Sequence, residues 1–373
     1  MKILFVTISL DAERGGGTAE RTRHLALTMA RQGCRCTVAA IEGTSWRQAF
    51  EEAGIRSWIT GSIGRRFPLP LLNIRRLWQE IGSAEIIHVT GYWNLLSAAT
   101  CLSARLRRTP YVLCAAGEFA SIDRPRPFNR LFHALLGRPM IAGAASLVAI
   151  TELEREEIRT KLHLSPDRIV VVPNGVEDPG IADTPRQIYP ALPAGKFVLF
   201  MGRLAPIKGP DLLLEAFGVM SHLFPDIDLV IAGPDFGMRA ELECRCRDLG
   251  LEQRVKFIGF IDQETRLEAY RRAALLVIPS RSEAMSLVAL EAGVVGTPVL
   301  LTDRCGFDEI AAIGGGMVVR PVPQDIGNGL TALLSRMDEL PAMGERLRRM
   351  IRETYSWPAV ANRLRAHLES LIA

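Results

Sequence analysis

No uncharged apolar run in these 373 residues approaches the ~20 that a membrane-spanning helix requires, so the chain reads as soluble or peripheral. The opening residues, Met1-Lys2-Ile3-Leu4-Phe5-Val6, reach Ser9 and Asp11 too soon for the apolar core of a signal peptide and read as a first strand. No Gly-x-Gly-x-x-Gly follows a candidate strand, which argues against a dinucleotide-dependent oxidoreductase. The pairs Cys34/Cys36 and Cys244/Cys246 have no histidine or second pair at zinc spacing. Seven cysteines in a chain too long to need staples point to unpaired thiols in a reducing cytosol. With 48% hydrophobic and 23% charged residues, the disordered and collagen-like classes drop out.

What is present is long enough for two or three domains, each with its own core. The net charge of +4 is unevenly placed. Residues 1–175 hold 23 Lys/Arg against 15 Asp/Glu, or +8, and the remainder holds 22 against 26, or −4. The excess concentrates in residues 65–138, where 11 Arg face 4 acidic residues among Phe67, Leu71, Leu72, Ile74, Trp78 and Phe128. Arginine-rich amphipathic segments with Trp and Phe suit an anionic membrane surface, and an ordinary solvated face is the competing reading. No recognition motif accompanies the charge, so nucleic acid is not expected as a partner.

Short apolar, β-branched runs alternate with helical-period segments throughout. In the first half they fall at 3–9, 36–40, 57–59, 86–90, 111–115, 147–151 and 169–172. In the second half they fall at 197–202, 229–233, 255–259, 275–279, 299–302 and 317–319. Fully apolar strands separated by helices imply parallel sheets covered on both faces. Two such sets exceed one open sheet and predict an α/β protein with two doubly wound, Rossmann-like domains. The expected division is 1–179, a linker at 180–195 carrying Pro185, Pro190 and Pro193, and 196–355. Ligands of such sheets sit at the carboxyl ends of the strands, and two facing domains are expected to leave a cleft.

Four stretches carry candidate chemistry. Gly15-Gly16-Gly17-Thr18 stands between the first strand and a helical run from Ala19 to Arg31. Backbone N–H groups there can approach an anion, although a flexible loop explains the glycines about as well. The strand at 197–202 runs into Gly202-Arg203-Leu204 and then Lys208-Gly209. A guanidinium fork and an ammonium point charge on one turn suit a diphosphate, with surface solvation as the alternative. Pro279 to Ala292 predicts a strand end, then a helix from near Met285, with Glu283 just before it and Glu291 about two turns in. A carboxylate accepts well from vicinal hydroxyls, and the N–H groups of Ala284, Met285, Ser286 and Leu287 can face a phosphate. Glu291 reads otherwise as an exposed helix charge, yet its helix is apolar nearly all round, so its carboxylate needs a partner. Asp226-Ile227-Asp228 spells Asp-x-Asp but precedes a strand, so it reads as solvated loop charge and no metal is expected.

Gly202-Arg203-Leu204 with Lys208-Gly209, Glu283-x7-Glu291 and Gly296-Thr297-Pro298-Val299 resemble the group 1 family of retaining GT-B glycosyltransferases, family 4. Pro173-Asn174-Gly175-Val176 resembles its interdomain signature, Gly15 to Gly17 its N-terminal glycine loop, and Ile87-His88-Val89 its fourth-strand motif. The likeness covers essentially the whole chain in the expected order. It implies a hexose-type transfer from a nucleoside diphosphate sugar to a glycan or lipid-linked acceptor, in cell-surface polysaccharide or glycolipid assembly. Arg203 and Lys208 are then expected to neutralise the leaving diphosphate and Glu291 to bind ribose hydroxyls. Glu283 would hold the transferred sugar, with Gly16 and Gly17 approaching the donor. His88, Glu118 and Asn174 are the acceptor-side or sugar-side candidates, His88 being equally readable as core. The leaving phosphate would help deprotonate the acceptor, so neither a cofactor nor a glycosidase-type carboxylate pair is expected. The helix after Tyr355-Ser356-Trp357-Pro358 is expected to pack back on the N-terminal domain, and a cytoplasmic chain, peripheral on the inner membrane face, is the implied setting.

Two departures stand out. Where relatives carry a histidine after the fifth strand, this chain reads Leu113-Cys114-Ala115-Ala116-Gly117-Glu118, with Ala116 in the histidine's place. Where Gly-Phe-Gly often follows the first glutamate, it has Ala284-Met285-Ser286. A nucleotide-sugar 2-epimerase and a non-catalytic nucleotide-sugar-binding subunit are the alternatives on the same fold.

Overall fold

The computed structural model describes residues 1–11, 15–63, 69–121, 127–180 and 192–373. The chain divides into two compact units, Met1–Asn174 with Trp357–Ala373, and Gly175–Ser356.

The first unit carries β1 (Lys2–Ser9), β2 (Arg35–Glu42), β3 (Arg56–Ile59), β4 (Ser62–Ile63), β5 (Leu69–Pro70), β6 (Ile86–Thr90), β7 (Tyr111–Cys114), β8 (Ser146–Ala149) and β9 (Ile169–Val171). Strands β4 and β5 form a small antiparallel pair of their own, and the others make one sheet in the order β3-β2-β1-β6-β7-β8-β9. All its pairings are parallel, with Phe5 level with Val38 on one side and His88 on the other. Every residue of β6, β7 and β8 is buried, which is why these strands are mostly apolar and do not alternate, with His88, Thr90 and Ser146 as their buried polar members. Strand order reverses between β1 and β6. Right-handed crossovers running outward from that point place helices on both faces.

The helix Trp357–Ile372 belongs to this unit and lies along the helix Gly16–Arg31. Trp357 stacks on His24 with ring centroids 4.7 Å apart, Gln32 Nε2 donates to Asn362 Oδ1 at 2.8 Å, and Leu364 and Leu368 are buried.

The second unit holds β10 (Lys196–Met201), β11 (Ile227–Ala232), β12 (Val255–Gly259), β13 (Leu275–Ile278), β14 (Val299–Thr302) and β15 (Gly316–Val319). They form one parallel sheet ordered β12-β11-β10-β13-β14-β15, which reverses between β10 and β13. Its core joins Val198, Phe200, Leu229, Leu275 and Val277 to apolar residues of the covering helices, Phe217 and Leu330 among them.

The division falls at Asn174/Gly175, ahead of the expected 180–195, of which 181–191, with Pro185 and Pro190, lie outside the described residues. Residues 175–179 go with the second unit for a physical reason. Val176 N–H donates to the Tyr355 carbonyl at 2.8 Å, and Asp178 Oδ2 pairs with Arg352 Nε at 2.8 Å. All seven cysteines are free thiols, and all but Cys244 are buried.

Candidate functional site

In the second unit, the loops after β10 and β13 lie side by side where strand order reverses, the position at which open parallel sheets leave room for a ligand. Gly202 leaves β10 by donating its N–H to the Ala232 carbonyl at 3.0 Å, and Leu204 N–H donates to Pro234 O at 2.9 Å. A Cβ on Gly233 would stand 1.8 Å from Gly202 O, so the loop after β10 also touches the loop after β11 backbone to backbone. Arg203 projects to solvent, its guanidinium 5.2 Å from the centre of the exposed Phe236 ring.

The chain then makes a tight turn, Pro206–Lys208, closed by Gly209 at φ +66°. A Cβ on Gly209 would come within 2.1 Å of the Pro279 carbonyl oxygen, so only glycine lets this turn press on the loop after β13. Arg281 straps the two together. Its N–H donates to Ile207 O at 2.8 Å and its Nη1 to Pro206 O at 2.6 Å. The guanidinium then grips Asp211 with both nitrogens, at 2.9 and 2.6 Å.

The strap brings Lys208 Nζ to 2.8 Å from Glu283 Oε1. Ser280 Oγ also donates to that oxygen, and the Glu283 side chain is only 8% exposed. Glu283 N–H is anchored on Arg304 O at 2.8 Å, and Thr302 Oγ1 holds the Ser280 carbonyl at 2.5 Å. The helix starts at Leu287, later than the expected Met285, and Glu291 stands one turn into it instead of two. The cause is that Ser286 N–H donates to Cys305 O at 3.2 Å, which keeps the chain off the helical path. Ser286 N–H is therefore not available to a phosphate, and Met285 is buried, while the N–H groups of Leu287, Val288 and Ala289 open the helix without intrahelical acceptors. Glu291 Oε2 accepts from the Tyr270 hydroxyl at 2.8 Å and lies 3.7 Å from Arg266 Nε.

In the first unit, Gly16 and Gly17 belong to the first turn of the helix Gly16–Arg31 and not to a loop preceding Ala19. A Cβ on Gly15 would meet Ala19 Cβ at 2.3 Å and Asp11 O at 2.6 Å, so the entry is closed to larger residues. His88 is a core residue with no exposure, Nδ1 3.3 Å from Thr90 Oγ1 and Nε2 without a partner among the described residues. Burial, with Arg21 nearby, lowers its pKa to about 3, so it stays neutral. Glu118 accepts from the N–H groups of Tyr92 at 2.5 Å and Trp93 at 3.1 Å. Burial raises its pKa against those bonds. It organises the turn after β6. Ala116 has φ +49°, a left-handed conformation uncommon for a residue with a Cβ.

Asn174 Oδ1 accepts from a residue that sequence reasoning passed over. Arg21, 1% exposed, donates through Nη1 to Pro173 O at 2.6 Å and to Asn174 Oδ1 at 3.1 Å, and through Nη2 to Val172 O at 2.8 Å. The signal was available: Arg21 stands in register with the buried Leu25 and Met29 at helical spacing, where an arginine requires acceptors. Glu154 was missed as well. Buried, it accepts from Gly117 N–H at 2.6 Å and Ile150 N–H at 2.7 Å, pinning the turn that holds Ala116.

The Asp-x-Asp at 226–228 lies at the amino end of β11, where Asp228 pairs with Arg254 at 3.4 Å and Lys256 at 3.3 Å. Among the described residues no cluster of His, Cys, Asp and Glu has the makings of a metal site.

Comparison with known proteins matches residues 183–357 to the family model described as "Glycosyl transferases group 1" and residues 16–175 to "Glycosyl transferase 4-like domain". The chain belongs to the group 1 glycosyltransferases. Two relatives of this chain carry the name D-inositol 3-phosphate glycosyltransferase. That of Mycolicibacterium gilvum is 30% identical over 69% of this chain and 58% of its own length. That of Jonesia denitrificans is 34% identical over 63% of this chain and 59% of its own length. The match thus spans well under two thirds of either relative. Among solved structures, Anabaena HepE in complex with UDP superposes with a TM-score of 0.79 at 19% identity, covering 99% of this chain and 100% of its own. At that identity the likeness establishes the fold, which is GT-B with its two Rossmann-like units.

Proposed function

We propose that this glycosyltransferase moves a hexose-type sugar, with retention, from a nucleoside diphosphate sugar to a glycan or lipid-linked acceptor of the cell surface. The observation that carries the reading is the meeting of Lys208 and Glu283 where strand order reverses, with Arg203 one loop residue after Gly202. Lys208 and Arg203 supply the cations for a diphosphate, and the first-turn N–H groups from Leu287 onward add partial positive charge. Glu283, beside Lys208, offers a carboxylate to a sugar attached to that diphosphate, and Glu291 offers one to the ribose hydroxyls. UDP bound to a protein of the same fold supports this kind of donor.

In the reaction, the bond between the anomeric carbon and the diphosphate oxygen breaks, and the acceptor oxygen forms the new bond on the same face. The acceptor proton passes to the leaving phosphate. Charge grows on the diphosphate as the old bond breaks, so preorganised cations there lower the barrier.

The exposed apolar residues of the first unit support a lipid setting on the inner membrane face. Ile74, Trp78, Leu102, Leu106, Leu131 and Leu135 are exposed on three neighbouring helical segments, with Arg75, Arg76, Arg105 and Arg130 exposed among them. Arg107 lies 4.8 Å over the Trp78 ring and ties two of these segments together. Arg65, Arg66, Phe67, Arg124 and Arg126 lie outside the described residues.

Ala116 favours a second reading, a subunit that binds the nucleotide-sugar without turning it over. Thermal-shift screening of common nucleotide-sugars, followed by assay of the best ligand for transfer, tests both. Stabilisation with transfer supports the enzyme, stabilisation without transfer or hydrolysis supports the subunit, and stabilisation by none overturns both.

A further inference from the structure

We infer that Tyr270 is a positioning residue that presets Glu291 for a ribose diol, and that the Gly296-Thr297-Pro298 turn holds Tyr270 in place for that purpose. The inference rests on the donor reading above and adds to it two residues with no assigned role.

Tyr270 is 2% exposed, yet it ends in a hydroxyl, and a buried phenol left without a partner is destabilising. Its partner is Glu291 Oε2, at 2.8 Å. Burial, then the neighbouring Glu291 carboxylate, push the Tyr270 pKa well above its usual value, so this group donates at every working pH. Arg266, at 3.7 Å, faces the same Oε2. Both contacts fall on one oxygen, and Oε1 takes no hydrogen bond among the described residues. A glutamate side chain has three rotatable bonds, and fixing one oxygen from behind removes most of the freedom that a diol would otherwise have to freeze on binding.

Tyr270 itself is held through its backbone. Thr297, buried, donates from Oγ1 to the Tyr270 carbonyl at 2.6 Å. The same turn closes the helix that bears Glu291, because Thr297 N–H donates to Ala292 O at 3.0 Å. Gly296 at φ +93° makes the turn possible, and Leu276 N–H on β13 bonds to Pro298 O at 3.1 Å. One turn therefore fixes the sheet, the helix carrying Glu291 and the tyrosine that orients it.

The test uses whichever of UDP, GDP and ADP binds the wild-type chain most tightly, with its 2′-deoxy and 3′-deoxy forms and inorganic pyrophosphate, all by calorimetry. Wild type should lose about tenfold in affinity when a ribose hydroxyl that faces Glu291 is removed. In Tyr270→Phe, which keeps the ring, that ratio should fall to about threefold or less, with pyrophosphate affinity within twofold of wild type. Thr297→Val should move the ratio in the same direction by less. A general loosening of the site would weaken pyrophosphate in step and leave the ratio alone, and that result overturns the inference. So does a wild-type ratio in Tyr270→Phe. Failure of all three diphosphates to bind wild type removes the donor reading itself, and the inference falls with it.

Discussion

Lys208 and Glu283 meet at 2.8 Å, a cation from the turn after β10 and a carboxylate from the loop after β13. Each neutralises the other when no donor is present. On the proposed donor reading, a diphosphate that draws Lys208 toward itself would release Glu283 toward the sugar, coupling the two proposed roles through one contact.

If Glu283 acts, as proposed, beside a carbon that gains positive character, Glu283→Gln should lower kcat by about 100-fold with a smaller change in KM. The nucleoside diphosphate product should bind this variant at least as well as wild type, because Lys208 has lost its competing anion. Glu291→Gln should instead raise donor KM more than it lowers kcat and bind the product distinctly worse. Calorimetric titration of the product into both variants checks the assignment, and the opposite ranking would reverse the two roles.

Arg203→Ala should cut kcat/KM by about two orders of magnitude or more while circular dichroism and thermal midpoint stay near wild type. The exposed position of Arg203 over Phe236 makes a folding defect an unlooked-for outcome. Wild-type kinetics would remove the diphosphate assignment.

The Arg281–Asp211 strap makes a prediction about acid. Burial raises the Asp211 pKa, but the hydrogen bonds and charge of Arg281 outweigh it and the net shift is downward. A carboxyl whose folded pKa is depressed adds stability above its unfolded pKa of about 3.9 and loses it as the pH falls through the folded value. Asp211→Asn should cost about 1 kcal/mol near neutrality, in urea unfolding, and the gap from wild type should begin to narrow once the pH falls below the unfolded value. A gap that stays constant with pH would show that the strap works by packing alone.

Binding to phosphatidylglycerol vesicles should weaken as salt rises from low to physiological and weaken again in Arg75→Glu/Arg76→Glu. Vesicle flotation measures both. Equal binding to neutral and anionic vesicles would sink the electrostatic account.

The sheet strands were readable because burial on both faces leaves few polar residues to interrupt them, as in Tyr111–Cys114. The β4–β5 pair was not, since two-residue strands carry no period. Glu283 and Lys208 stood out by their place after apolar runs. Arg281, Tyr270 and Thr297 did not, because what they do depends on partners from other elements: Ile207 and Asp211, Glu291, and the Tyr270 carbonyl. The late start of the helix at Leu287 has the same origin. Ala284 and Met285 favour helix locally, and the Cys305 carbonyl overrules them. His88 was undecidable from its neighbours and became core only once Phe5 was seen beside it, ring centroids 5.5 Å apart.

The place of the helix Trp357–Ile372 has a consequence for how the protein is made. The second unit is a continuous stretch of chain, complete by Ser356, whereas the first lacks a structural member until Trp357–Ala373 have been translated. During synthesis from the N-terminus, the helix Gly16–Arg31 waits through the whole of the second unit with its docking side open, His24 and Gln32 included. The earlier-born unit is thus the later-finished one, and a ribosome that stalls before Trp357 leaves a nascent chain whose second unit is complete and whose first is not.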